Sequence, residues 1–296
     1  MDLYRARPQD GVVWVTGASS GIGRAVALKL AQRGFTVVAT ARREEALSRL
    51  AEEAASLRGS IVPMPGDVTD ETGMANIMAS IEARHTRLAL CVFNAGVFLP
   101  VHGERLTVDR FEKTFDVNLL GVIKGLVPAA AHMHRKGGGQ IAIVASVTGY
   151  FGLPTSAAYG ASKAALINLA ESLKFDFDKM NIRIQVVDPG FVDTPATEGN
   201  PFPMPALIEP EDAAERLVKG LERGGFEITF PRRFTWFLKV LQKLPYLIFF
   251  SLVSRGTGWN DKPLRPRSSS GGAEAPQDEG RRQKEAASGG VSHRSD

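Results

Sequence analysis

Short apolar runs return along this chain from Val12 to Phe230, and each is separated from the next by a stretch with helical spacing. The strand-like runs are Val12 to Thr16, Thr36 to Thr40, Ser60 to Pro63, Leu88 to Asn94, Gln140 to Ser146, Arg183 to Asp188 and Phe226 to Phe230. Between them lie helical patterns over Gly21 to Arg33, Arg43 to Leu57, Glu71 to Ala83, Thr107 to His134, Ala157 to Met180 and Glu211 to Arg223. Strands that are apolar throughout, rather than at alternate positions, are strands covered on both faces. The pattern predicts an α/β fold: a doubly wound, seven-stranded parallel sheet with helices on both faces. No break interrupts it, so residues 1–231 are read as one dinucleotide-binding catalytic domain, followed by a hydrophobic basic appendage (232–261) and a disordered tail (262–296).

Charge is distributed unevenly. The chain of 296 residues carries a formal +4, yet 232–255 holds five Lys/Arg and no acid, and the tail holds seven Lys/Arg against five Asp/Glu. The remainder is net negative, which argues against a nucleic-acid-binding face spread over the body. The tail has no aromatic residue and only Leu264 and Val291 as sizeable aliphatics, too little to offset the entropy of ordering it. A single cysteine, Cys91, forms no intramolecular disulfide, and no Cys/His spacing suits a metal. The polar start, Met1 to Gly11, lacks the apolar core of a signal peptide. Together these point to a cytoplasmic setting.

The first strand runs into Thr16-Gly17-Ala18-Ser19-Ser20-Gly21-Ile22-Gly23 and then a helix. Glycines let a backbone turn tightly and approach a ligand, and a helix N-terminus offers unpaired N–H groups to a pyrophosphate. This is the signal of a Rossmann-type dinucleotide site, in which Gly17, Ser19, Ser20, Gly21, Ile22 and Gly23 face the phosphates. The second strand ends in Thr40-Ala41-Arg42-Arg43, with no acid before Glu44. A guanidinium pairs with a ribose 2′-phosphate that an acid would repel, so NADP(H) is expected in preference to NAD(H), mostly through Arg42.

Tyr159 and Lys163, four apart near the start of a helix, fall on one face one turn from each other. Ser146 ends the strand before them, where a parallel sheet borders its ligand crevice, and Asn118 lies within the long helix 107–134. With these residues in order, the chain resembles the short-chain dehydrogenase/reductase family in its compact single-domain form. The likeness spans about Val12 to Pro231 and includes Asp67-Val68, Asn94-Ala95-Gly96 and Pro189-Gly190 with Val192 and Thr194. Phe93 stands where the family often has a second Asn.

The resemblance implies a tetrad of Asn118, Ser146, Tyr159 and Lys163. Tyr159 would exchange a proton with the substrate oxygen during hydride transfer, and Ser146 would hold that oxygen. Lys163 would bond the nicotinamide ribose and lower the tyrosine pKa, and Asn118 would support a water linked to Lys163. Asp67 and Val68 would face the adenine; Asn94, Ala95 and Gly96 would floor the cofactor site; Thr194 would meet the carboxamide. The partner so implied is a small carbonyl or alcohol substrate, and the working form a homo-oligomer. The alternative is a non-catalytic NAD(P)-binding regulator on the same scaffold, which has no need of Tyr159.

Working near pH 7 asks a tyrosine of pKa about 10 to shift by about 3 units, or roughly 4 kcal/mol. A solvated ammonium supplies about 1 kcal/mol, so the pair must be desolvated. Beyond Pro189-Gly190, the Pro-, Gly- and Thr-rich stretch Thr194 to Pro205 reads as a lid.

Residues 232–255 read RRFTWFLKVLQKLPYLIFFSLVSR. Thr235, Lys239, Gln242, Lys243 and Tyr246 form one polar stripe, with apolar residues around the rest of the helix, and Pro245 breaks it. Two lysines and a proline argue against spanning a bilayer. A peripheral membrane contact, a lid and a subunit interface all remain open for this segment, and a membrane contact favours a lipophilic substrate. A membrane-scaffolding role would rest on this segment alone.

Overall fold

A computed structural model describes residues 3–85, 87–197 and 203–264. The strands are β1 (Val12–Thr16), β2 (Thr36–Thr40), β3 (Ser60–Pro63), β4 (Leu88–Phe93), β5 (Gly139–Val144), β6 (Ile182–Pro189) and β7 (Glu227–Phe230). They form one parallel sheet in the order β3-β2-β1-β4-β5-β6-β7. The helices are α1 (Gly21–Gln32), α2 (Glu44–Glu53), α3 (Glu71–Arg84), α4 (Val108–Phe115), α5 (Gly121–Arg135), α6 (Ala157–Lys179), α7 (Pro210–Arg223), α8 (Arg232–Leu241) and α9 (Tyr246–Thr257).

Every residue of β1 is buried, and neighbours along it part to opposite sides. Val13 and Val15 join the core beneath α1, α2 and α7, whereas Val12 and Trp14 join the core beneath α3, α5 and α6. This side-to-side alternation is the period of two that any strand imposes, and here both sides are apolar because both are covered. The order of strands reverses between β1 and β4, and such a switch point opens a crevice outside the strand C-termini. Phe93, at the end of β4, packs edge-on to Trp14 with ring centroids 5.9 Å apart. A Cβ on Gly125 would come within 2.7 Å of the Phe93 ring, so the family departure at Phe93 is matched by a glycine opposite it.

Two helices differ from the periodicity. The helix expected over Arg43 to Leu57 closes at Glu53 and tightens into a 3₁₀ turn, Ala54–Ser56. Gly59 then passes so close to Phe35 that a Cβ would lie 2.1 Å from its carbonyl oxygen, which fixes where the chain must leave the helix. The single helix expected over Thr107 to His134 is interrupted by a π-helical turn, Asp116–Leu120. Among the described residues, the run 108–135 has the length and composition to cross a membrane. Its residues Val122, Leu126, Ala129 and Met133 are buried under the sheet, which makes it a core helix.

Beyond β7, Pro231 and Pro245 each precede a helix, α8 and α9. The pair is anchored by a third apolar cluster, in which Leu238, Leu241 and Phe249 meet Val147, flanked by Tyr150, Phe151 and Phe234. Of the stretch read as a lid, positions 198–202 lie outside the described residues, as does the tail beyond Leu264.

Candidate active site

The turn after β1 is built for close approach. Gly17 and Gly21 hold φ of +69° and +52°, a region other residues rarely adopt, and a Cβ on Gly23 would sit 2.3 Å from the Gly17 carbonyl oxygen. Ser20 enters α1 in an extended conformation and its side chain does not cap the helix, so the first N–H groups of α1 face the turn without an intrachain side-chain acceptor. Asn94 ties β4 to this turn: its amide donates to the carbonyls of Thr16 at 3.2 Å and Gly17 at 3.4 Å. The Thr16 hydroxyl accepts from the backbone N–H of Asn94 and Ala95. Thr194 reaches the same turn, its methyl 3.0 Å from where a Cβ on Gly21 would stand. The side chain of Val192 is buried in the core and that of Ile22 packs against it, so their backbones alone can face a ligand. The glycine turn, the uncapped helix start and the basic end of β2 suit a dinucleotide.

At the end of β2, both arginines are exposed. Arg43 donates to the Ser19 hydroxyl at 3.2 Å and to its carbonyl at 3.4 Å, which puts a guanidinium directly over the turn. Arg42 stands near Asp67. Partial burial pushes the Asp67 carboxyl up, but hydrogen bonds from the Thr69 backbone and hydroxyl, with Arg42 and Lys124 nearby, outweigh it and hold the group below its usual range. Beside it Val68 is buried, and a Cβ on Gly121 would come within 2.8 Å of its methyl. The sequence reading rested on Arg42 for the 2′-phosphate; Arg43 is the arginine whose contact the geometry fixes.

The four tetrad residues come from three places in the fold. Asn118 lies in the π-helical turn and is fully buried. Its Oδ1 accepts from the Val97 N–H at 2.8 Å, and its Nδ2 donates to the Val97 carbonyl at 3.0 Å and to the Ser162 hydroxyl at 3.1 Å. A π-turn inside an α-helix commonly marks a functional position, and here it separates α4 from α5 at Asn118. Ser146 does not end β5 as expected; it lies two residues past Val144 and caps a 3₁₀ turn, accepting from the Thr148 N–H at 3.2 Å. Tyr159 and Lys163 rise from successive turns of α6, and the Lys163 Nζ stands 5.5 Å from the Tyr159 ring centroid. That ammonium donates to the Val144 carbonyl at 2.8 Å. Gly96 passes overhead, where a Cβ would lie 3.3 Å from Asn118 Oδ1 and 3.5 Å from Lys163 Nζ.

A cavity opens at this point, lined by Ser146, Tyr159, Gly190 and Thr197 with the apolar Phe98, Val147, Phe191 and Ala196. Phe98 meets the Tyr159 ring edge-on at 5.3 Å. Gly190 is held by its N–H to the Phe230 carbonyl at 2.8 Å, just past Pro189 at the end of β6.

Burial dominates the titration of the pair. It pushes the Tyr159 phenol up to about 12, while a hydrogen bond from Ser146 pulls the other way. It lowers Lys163 to about 8, opposed by the charge of Asp188. Tyr159 is thus a phenol at neutral pH, the reverse of the shift that the sequence argument asked for. Asp188 was not among the expected site residues. It is fully buried on β6, and both carboxylate oxygens lack a well-formed hydrogen bond although Tyr150 and Glu227 stand beside them. Burial, then the Glu227 charge, raises it to about 8. An acid directly after the apolar pair Val186-Val187, at the C-terminal end of an interior strand, was the signal that could have marked it.

The family model for the short chain dehydrogenases matches residues 11–201. An uncharacterized oxidoreductase of Myxococcus xanthus is 36% identical over 241 residues, covering 81% of this chain and 95% of that protein. A 3-oxoacyl-(acyl-carrier-protein) reductase of Thermotoga maritima is 32% identical over 222 residues, covering 72% and 90%. A short-chain type dehydrogenase/reductase structure from Mycobacterium ulcerans superposes with a TM-score of 0.68 at 25% identity, covering 77% of this chain and 88% of that one. The sheet and crevice described above are those of a Rossmann-type nicotinamide nucleotide-binding oxidoreductase. The chain belongs to the short-chain dehydrogenase/reductase family, whose members act on CH–OH or carbonyl groups.

Proposed function

We propose that this chain is an NADP(H)-dependent carbonyl reductase and alcohol dehydrogenase in which Tyr159 is the acid/base. The observation that carries the reading is that Tyr159 and Ser146 line one cavity, with the buried Lys163 ammonium 5.5 Å from the Tyr159 ring behind that wall. When bound, the nicotinamide supplies or accepts the hydride. In the reductive direction Ser146 donates a hydrogen bond to the substrate oxygen, and the phenol of Tyr159 gives its proton to that oxygen as negative charge develops there. A phenol held near 12 is fully protonated at pH 7 and is poised to donate. The phenolate left behind is stabilised by Lys163: a charge at the observed 5.5 Å from the ring is worth about 3 kcal/mol at an effective dielectric of about 20. Asn118 acts through position, fixing the 97 backbone over α6, next to Lys163.

Arg42 and Arg43 favour the 2′-phosphate, Asp67 and Val68 border the adenine, and Asn94, Ala95 and Gly96 floor the nucleotide. Pro189, Gly190, Val192 and Thr194 close it from β6. Phe98, Val147 and Phe191 suit a lipophilic ketone or aldehyde, and the likeness to a reductase of 3-oxoacyl groups accords with a ketone on an aliphatic chain. The working form is a homo-oligomer in the cytoplasm. Incubating the full chain with NADPH and a panel of aliphatic, alicyclic and long-chain ketones tests this reading. Consumption of NADPH well ahead of NADH, lost in Tyr159→Phe, supports it; binding of NADPH without turnover of any carbonyl leaves the regulator instead.

A further inference from the structure

Helix α8 docks through Leu238 and Leu241 together with part of its polar stripe. Of the polar stripe along it, Lys239 is ion-paired with Glu227 of β7, Gln242 just past its end donates to the Tyr150 carbonyl at 2.7 Å, and Thr235 is buried. The part of the stripe from Thr235 to Gln242 is therefore engaged with the protein, while Lys243 and Tyr246 stay exposed. The face left outside is apolar: Trp236 is 71% exposed and Phe237 58%. The same holds for α9, where Tyr246 is 78% exposed, Leu247 87% and Phe250 59%. Among the described residues fifteen large apolar side chains stand exposed, and eight of them fall between Trp236 and Leu252. Scattered exposed apolar groups need no explanation, but such a concentration marks a surface that meets something other than water.

We propose that α8 and α9 seat the enzyme on the surface of a phospholipid bilayer rich in anionic headgroups. Charge selects this occupant. Arg232 and Arg233 of α8, Lys243 between the helices and Arg255 of α9 are exposed, and 232–255 contains no acid. An apolar face with Trp and Tyr among its exposed residues, flanked by cations, matches the layering of an anionic interface, where aromatic rings sit at headgroup depth and basic groups meet phosphate. A second copy of the same face is disfavoured, because a two-fold contact brings one four-cation surface against another. Spanning is excluded by length: the 12 residues of α9 extend about 18 Å, against a hydrocarbon core of about 30 Å.

The test is sedimentation of the full chain with phosphatidylcholine vesicles, with and without phosphatidylserine, read by protein recovered and independently of turnover. The expected result is recovery with the anionic vesicles that weakens as salt rises. Each cation at such a surface contributes about fivefold, so Arg233→Ala with Lys243→Ala lowers the partition about 25-fold. Trp236→Ser with Leu247→Ser lowers it at least tenfold on both vesicle types, with NADPH binding retained as the check that the variants fold. Equal recovery with neutral and anionic vesicles, no recovery at all, or variants indistinguishable from the parent each overturn the proposal. So does a soluble dimer that Trp236→Ser with Leu247→Ser converts to monomer, since the face then belongs to a second copy.

Discussion

Gly96 lies against Asn118, close enough that a methyl group on the glycine would stand 3.3 Å from the asparagine amide oxygen and 3.5 Å from the Lys163 ammonium. Asn118 in turn grips the backbone of Val97 through both ends of its amide. The loop proposed to floor the nucleotide and the helix carrying the proposed acid/base pair are thus joined through Asn118, and a change at either edge should be felt at the other.

Gly96→Ala tests that coupling. The added methyl forces the floor loop and the Asn118 amide apart by a few tenths of an ångström, and a misplacement of that order at a reacting site costs rate steeply. The expected outcome is a fall in kcat of about tenfold or more with a weaker NADPH Kd, and little change in Tm. Stopped-flow turnover beside equilibrium nucleotide titration reads both.

Tyr159→Phe removes one oxygen and leaves the Phe98 packing in place. Loss of a general acid costs about 10² to 10⁴ in kcat, and NADPH Kd should stay within about twofold. A parallel loss of nucleotide affinity would make Tyr159 a structural residue.

Arg42→Ala and Arg43→Ala should each raise KM for NADPH while sparing NADH. A hydrogen bond to a charged group contributes about 1.5 to 3 kcal/mol, or about tenfold to a hundredfold. Because Arg43 is the residue held over Ser19, its loss is expected to cost at least as much as that of Arg42. Comparing kcat/KM for the two nucleotides in each variant decides it.

Asp188 links stability to pH. Its carboxyl is raised to about 8 by burial and by Glu227, above the unfolded value of about 3.9. Between those limits the folded chain keeps a proton that the unfolded chain has released, so the group's contribution to stability falls as pH rises from about 4 to 8. The groups facing it are Tyr150, Glu227 of β7, Lys239 of α8 and Lys163 of α6. Asp188→Asn should flatten the decline of Tm between pH 5 and 8 by a few degrees. It should also move the alkaline limb of the reductive pH–rate profile to lower pH, because the charge that supports protonated Lys163 is gone. Calorimetry and rate profiles across that range report the two effects separately.

The strands and the glycine turn were legible because they depend on local constraints: apolar continuity for strands covered on both faces, and positive φ at Gly17 and Gly21. Tyr159 and Lys163 were legible for the same reason, being one helical turn apart. The π-turn at Asn118 was not, since no local residue pattern announces it; the partner of the Asn118 amide, Val97, lies 21 residues earlier in the chain. The outward apolar face of α8 was equally hidden. Helical spacing sorted Thr235, Lys239, Gln242, Lys243 and Tyr246 onto one stripe, but Glu227 and the Tyr150 carbonyl, distant in the chain, engage Lys239 and Gln242 and leave Lys243 and Tyr246 outside. The upward shift of Tyr159 escaped because the sequence argument expected desolvation to strengthen the pull of Lys163, whereas burial penalises the phenolate more strongly.

Phe234 of α8 packs on Phe191, ring centroids 5.9 Å apart, and Phe191 lines the reaction cavity. The helix that begins the exposed C-terminal segment therefore also buttresses the cavity beside Tyr159. A replacement at Phe234 would reshape the cavity wall through Phe191 without touching the glycine turn, Tyr159 or Lys163.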